Sequence, residues 1–194
     1  MTVSSADIIR GVWGAWRLAR RDTGGMAVFD ISPDGAAKSF YAGVLAFPLY
    51  MVIQVLLLGF RWPLLLQPLP LIIEVLGYIA GWVLMPAAMT WILPRIGRAP
   101  RLPEAIVAYN WAAFLIMVAQ FVRAVLDAAG LFPGPLGVLV AIGVAVACYL
   151  YEGFVLRIAV EVDVPIAAGL VVFDALASEL LGGWVDLVAK AAYL

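Results

Sequence analysis

Five long apolar segments dominate the chain, and short stretches rich in polar residues, proline or glycine separate them. Each has close to the roughly 20 residues that an α-helix needs to cross a bilayer. The pattern therefore predicts an all-α integral membrane protein, in which residues 39–194 form one bundle of five transmembrane helices. The predicted spans cover about residues 39–60, 69–93, 104–129, 135–157 and 164–186.

The fifth segment differs from the others because Asp174, Glu179 and Asp186 interrupt it. Both a full span and a re-entrant or interfacial helix agree with this pattern. Pro48 and Pro86 lie inside the first and second segments, where we expect them to bend the helices without splitting them. In the second segment, Gly77 and Gly81 are four residues apart, a spacing that favours close helix packing within the bundle or against a second copy of the chain.

Residues 1–38 are predicted to form a cytoplasmic N-terminal region with one amphipathic, interfacial helix over residues 5–21. Ile9, Val12, Trp13 and Trp16 recur on one helical face. Tryptophans on one side and arginines towards the other suit the headgroup region of an anionic leaflet. Packing on a soluble partner is the alternative. The predicted membrane-surface anchor comprises Trp13, Trp16, Arg17, Arg20 and Arg21.

The distribution of basic residues predicts the orientation, because cytoplasmic loops carry an excess of lysine and arginine. Arg10, Lys38 and the three anchor arginines lie in the N-terminal region, and the second loop carries Arg95, Arg98 and Arg101. The first loop has only Arg61, and the third has none. We therefore expect a cytoplasmic N-terminus and a periplasmic C-terminus in a bacterial inner membrane. An aromatic belt at the inner surface would contain Tyr41, Trp91, Tyr109 and Tyr149.

Composition supports the membrane assignment and excludes several chemistries. Hydrophobic residues make up 65% of the chain and charged residues 13%, against about 45–50% and about 25% in soluble domains. There is no histidine, which removes His-ligated metal sites and the Ser-His dyad. A single cysteine, Cys148, excludes an internal disulfide. We expect no cofactor, no catalysis and no nucleic-acid partner.

The stretch FDISPDGAAKSFY, residues 29–41, matches the first half of a calcium-binding loop at Asp30, Ser32, Asp34 and Gly35. Position 12 of such a loop requires a bidentate Glu, and here it is Tyr41. The same residues also suit the start of a helix, with Ser32 as N-cap, proline next and Asp34 in the first turn. The sequence favours the cap.

Charged residues inside the apolar segments are the main functional candidates, because placing one in lipid costs at least ~2.5–3.5 kcal/mol. In one account Arg123 neutralises Glu74 or Asp127 and ties the second span to the third. In the other, acidic residues around Asp174 line a path for protons, cations or a cationic substrate. The candidates are Glu74, Arg123, Asp127, Glu152, Asp174 and Glu179.

An amphipathic N-terminal region, five apolar spans rich in proline and glycine, and a short external C-terminus together resemble the Yip1 superfamily. The resemblance covers most of the chain at the level of topology. It implies a non-catalytic inner-membrane protein that organises the membrane or binds a partner, either another protein or a second copy of the chain. The alternative is a small proton- or cation-linked transporter, or a subunit of a transport complex, that uses the acids inside its spans.

Overall fold

The computed structural model of the protein describes residues 2–59 and 62–192, so Arg61 of the first loop lies outside the described residues. These residues form helices and no strand, which confirms the all-α prediction. The helices are α1 (Ser5–Ala19), α2 (Pro33–Ser39), α3 (Tyr41–Leu58), α4 (Trp62–Leu65), α5 (Pro68–Arg95), α6 (Leu102–Ala128), α7 (Pro135–Val160) and α8 (Val164–Ala192).

Five helical segments are long and apolar enough to cross a membrane, which indicates a multi-pass membrane protein. The fifth is continuous through Asp174, Glu179 and Asp186, so these acids do not break the helix. Pro48 and Pro86 also lie inside unbroken helices. The five segments are Pro33–Leu58, Pro68–Arg95, Ala99–Ala128, Pro135–Val160 and Val164–Ala189.

The first of these segments begins at a helix cap, as the sequence favoured. The Ser32 hydroxyl accepts a hydrogen bond from the Gly35 amide at 3.0 Å, and Pro33 occupies the first turn. Asp34 forms an ion pair with Lys38 at 2.6 Å, one helical turn away. A Cβ added at Gly35 would lie 2.1 Å from the Asp30 carbonyl oxygen. The glycine is therefore required for close backbone packing at the cap.

Helix α1 begins at a capping box and packs on the bundle through its small residues. Ser4 and Asp7 exchange hydrogen bonds, and the bonds from Ser4, with a further one from Arg10, hold the pKa of the Asp7 carboxyl below its usual range. The Trp111 ring of α6 lies directly against Gly11. The Tyr151 hydroxyl of α7 donates to the Ala15 carbonyl at 2.9 Å. Gly14 lies against the Phe29 ring in the same way. Gly11 and Gly14, which would weaken an isolated helix, therefore serve tertiary packing here.

Replacing Gly11 with alanine should destabilise the protein, because the added Cβ would lie 2.0 Å from the Trp111 ring. Overpacking of this kind costs about 1–3 kcal/mol, and it exceeds the gain in helix propensity of up to about 1 kcal/mol. With a net loss of about 1–2 kcal/mol, we expect the thermal midpoint in detergent to fall by about 2–8 °C, at roughly 2–4 °C per kcal/mol for this chain length. Gly143→Ala is the matched control, since nothing among the described residues lies within 4 Å of its added Cβ. Equal midpoints for the two variants would contradict this docking of α1.

Candidate functional site

A cavity of about 770 Å³ lies between α3, α5, α6, α7 and α8. Its wall combines apolar and aromatic side chains with carboxyl groups, and no lysine or arginine is among the described residues that line it. Ionised carboxyl groups in such a cavity make it electronegative, because its low-dielectric walls focus the field. The acidic residues in the wall are Glu74, Glu152, Asp174, Glu179 and Asp186.

Asp174 lies on α8 and is held from α6. It is buried, and the Tyr109 hydroxyl donates to both of its carboxyl oxygens at 3.2 and 3.1 Å. Asp174 has no described contact with Arg157, which is exposed. It has none with Asn110 either, whose amide donates to the Ser39 hydroxyl at 2.8 Å. Asp174 therefore faces the cavity and is not sealed by a structural ion pair within the described residues.

Glu152 of α7 has its carboxyl within hydrogen-bonding reach of the Asp174 carboxyl. The side chain is only 5% exposed, yet its Oε1 atom has no hydrogen-bond partner among the described residues. Two carboxyl groups can be joined by a hydrogen bond only when one of them carries a proton, because an ionised carboxylate can only accept. The α7–α8 contact thus brings together a carboxyl pair and one unpartnered oxygen at the cavity wall.

Glu74 forms a second buried carboxyl site at the cavity, between α5 and α3. It is 4% exposed and accepts hydrogen bonds from the Tyr50 hydroxyl at 2.6 Å and from the Gln54 amide at 3.0 Å. Tyr50 and Gln54 lie one turn apart on the same face of α3. Two neutral donors therefore hold this carboxyl in a fixed position.

Arg123 does not tie the second span to the third. It pairs with Asp127 one turn further along α6, at 2.5 Å, and also donates to Gln120 at 3.1 Å. Of the two acids proposed as its partner, Asp127 is therefore the one that it contacts, and Glu74 is bound by α3 as described above. The Arg123–Asp127 pair is local to one helix, and neither residue lines the cavity.

Glu179 lies five residues after Asp174, yet both line the cavity because it extends along the length of α8. Asp186, two turns beyond Glu179, also reaches it. Close packing of α5 on α8 places Gly77 against Val185, where an added Cβ would lie 2.5 Å from a valine methyl group. The first glycine of the predicted pair therefore packs within the bundle, at the edge of the cavity.

The five predicted anchor residues lie on α1 and at its C-terminal end, away from the cavity. Trp13 and Trp16 are half-exposed and point away from the bundle, as does Ile9. Arg17 pairs with Asp22 at 2.6 Å, and this hydrogen bond holds the pKa of Asp22 below its ordinary value. The exposed side chains also include Arg20 and Arg21, and Arg21 stacks over the Phe154 ring at 4.8 Å.

The tyrosines and the amide that position the cavity acids were not predicted from the sequence. Tyr109, which was expected in the inner aromatic belt, instead has a buried ring, and its hydroxyl binds Asp174. Tyr50 and Gln54 did carry a signal, since two polar side chains one turn apart are unusual in an apolar helix. Their partner Glu74 is 20 or more residues away in the chain, so the spacing alone does not identify it.

The fold and the cavity define a class: an all-helical protein with five described helices long and apolar enough to cross a membrane and a carboxyl-lined cavity between them. Comparison with protein-family models, curated proteins and solved structures finds no match to this chain.

Proposed function

We propose that this protein is a non-catalytic membrane protein that binds a positively charged solute in the acid-lined cavity. It would act as a small carrier or as a subunit of a transport complex. The observation that carries the proposal is the wall of the cavity, where five acidic residues occur without a described lysine or arginine. A bound cation would supply a positive charge beside Glu74 and Asp174, whose described hydrogen-bond donors are neutral.

The energetics favour such a ligand over the alternatives. A buried carboxylate without a counter-ion is costly, since its hydration is lost and little replaces it. Glu74 receives two neutral hydrogen bonds, and one oxygen of Glu152 receives none among the described residues. A cationic solute gains the attraction of several carboxyl groups in a medium of low dielectric constant. An anion would be repelled by the same groups.

The proposed location is a bacterial inner membrane, with the N-terminus cytoplasmic and the C-terminus periplasmic. The support is the excess of basic residues in the N-terminal region and in the α5–α6 connection, where Arg95, Arg98 and Arg101 lie. Arg101 also forms ion pairs with Glu104 and with Glu161 at the α7–α8 turn. Both turns therefore lie at the same end of the bundle, as helices of alternating direction require.

Asp174→Asn should weaken cation binding about tenfold, because it removes a charge from the centre of the cavity, and losing about 1.4 kcal/mol corresponds to one decade in affinity. The measurement is the equilibrium binding of a permanent organic cation, tetraphenylphosphonium, to purified protein in lipid nanodiscs, with empty nanodiscs as background. Asp163→Asn is the matched control, because Asp163 is an exposed acid in the turn before α8 and outside the cavity wall. Equal binding by both variants would remove Asp174 from the site.

A second candidate function, favoured by α1, is membrane organisation or partner binding of the kind that the Yip1 resemblance implies. Ile9, Trp13 and Trp16 expose a large apolar surface beside several arginines. This surface suits anionic headgroups, and a protein partner or a second copy of the chain are alternative occupants. The candidate uses a different part of the molecule from the cavity, so both functions are compatible with one protein.

A further inference from the structure

We propose that the cavity takes a lipophilic organic cation, and that this cation enters in exchange for a proton shared by Glu152 and Asp174. The inference rests on the proposed function and names both the class of ligand and its coupling. It goes beyond charge attraction, because it assigns different roles to the two carboxyl sites in the cavity.

The class of ligand follows from the size and chemistry of the wall. A volume of about 770 Å³ lies within the roughly 300–1,000 Å³ of pockets that hold small organic molecules. No group of three or more acidic or cysteine side chains among the described residues is arranged to hold a metal ion. Aromatic rings attract organic cations through their faces, and the wall contains Tyr50, Tyr78, Trp82, Tyr109 and Tyr149.

The exchange follows from the geometry of the carboxyl pair. Glu152 and Asp174 are both buried in the same cavity wall, with their side chains next to each other, and a hydrogen bond between two carboxyl groups contains one proton. When the cation binds beside them, the O–H bond of that carboxyl group breaks and the proton leaves to water. The resulting second carboxylate pairs with the cation. One positive charge enters and one leaves, so the net charge of the occupied cavity equals that of the empty one.

The titratable groups around the pair cannot replace the shared proton as its neutralising charge. The titratable side chains that face it are the phenols of Tyr109 and Tyr149, the Cys148 thiol and the Glu179 carboxyl. Farther along the wall lie Glu74 and Asp186. None of these described groups is a cation, so none can neutralise the pair in place of a proton or a ligand. Glu74 accepts from Tyr50 and Gln54 and has no described hydrogen bond to another carboxyl group, so it attracts the cation without taking part in the exchange.

The test measures proton release when tetraphenylphosphonium binds to the full chain in nanodiscs. This ion has no proton to lose, so any released proton comes from the protein. Calorimetry in two buffers of different ionisation enthalpy gives the number of protons per cation. We expect about one near neutral pH, with affinity rising about tenfold per pH unit over the range in which the proton is released. Tetraphenylborate, of the same shape and opposite charge, should not bind above the background of empty nanodiscs.

Two variants separate exchange from binding. Glu152→Gln can donate to Asp174 without a titratable proton, so it should bind the cation with no proton release and no pH dependence. Asp174→Asn should also bind the cation with no proton release and no pH dependence. It provides a second test if Glu152→Gln does not fold.

Cation binding without proton release by the wild-type protein would overturn the exchange and leave the proposed function intact. Absence of cation binding, or equal binding of the two tetraphenyl ions, would overturn the proposed function itself. Competition by millimolar K⁺ or Mg²⁺ at the same site would overturn the organic class of the ligand.

Discussion

The Cys148 thiol should react about 50-fold faster with a cationic than with an anionic methanethiosulfonate of similar size, relative to a free thiol. Cys148 is half-buried in the cavity wall, and Glu152 lies one turn further along the same face of α7. Clefts lined by one sign of charge reach potentials of several kT. A potential of about −2 kT raises the concentration of one reagent and lowers that of the other, which gives a ratio of about e⁴, or 50.

The measurement needs no engineered cysteine, because Cys148 is the only one in the chain. Second-order rate constants for the two reagents, divided by those for a small free thiol, give the ratio directly. Changing Glu152→Gln and Asp174→Asn together should lower the ratio several-fold, because no carboxylate of the pair then remains. Glu161→Gln should leave it unchanged, because Glu161 pairs with Arg101 at the end of the bundle and is outside the cavity wall. A corrected ratio near one would contradict an electronegative cavity, and absence of reaction with either reagent would contradict its access to water.

Most of the fold could be predicted from the sequence, because each apolar run that crosses a bilayer must satisfy its own backbone hydrogen bonds as a helix. The start of the first helical segment at Ser32 and Pro33 was predictable for a similar reason, since the cap is made by residues adjacent in the chain. The sequence did not decide whether the fifth segment forms a full span. Its three acids left a re-entrant helix open, and the structure shows that they lie along the cavity side of one continuous helix.

Contacts between distant parts of the chain account for what the sequence did not predict. Arg123 and Asp127 are one turn apart, and their pairing was among the predicted alternatives. Tyr109 and Asp174 are 65 residues apart, and no local spacing relates them. The same holds for Gly11, because the Trp111 ring that lies against it belongs to a helix far along the chain. Helix periodicity describes one helix at a time, whereas a cavity depends on how five helices pack.

Charge reversal of the anchor arginines should weaken binding of the N-terminal segment to anionic membranes by more than about 100-fold. Each arginine near an anionic surface contributes about 1 kcal/mol, so losing three costs about 3 kcal/mol before any repulsion by the new glutamates. The change is Arg17→Glu, Arg20→Glu and Arg21→Glu in a peptide of residues 1–22. Partitioning onto vesicles that contain phosphatidylserine gives the two affinities, and circular dichroism checks that both peptides reach the same helix content when bound.

Vesicles of phosphatidylcholine alone are the control, because without anionic headgroups the two peptides should bind with similar affinity. Equal binding to the anionic vesicles would contradict the anchor, and an equal loss on both kinds of vesicle would indicate an effect on the helix alone. In the full chain, α1 uses its glycine face to pack on Trp111, which leaves Ile9, Trp13 and Trp16 exposed on its outer surface. Because the bundle already occupies the inner face, headgroup binding by α1 requires no rearrangement of the helices that surround the cavity. The anchor and the cation site can therefore be tested, and can fail, independently.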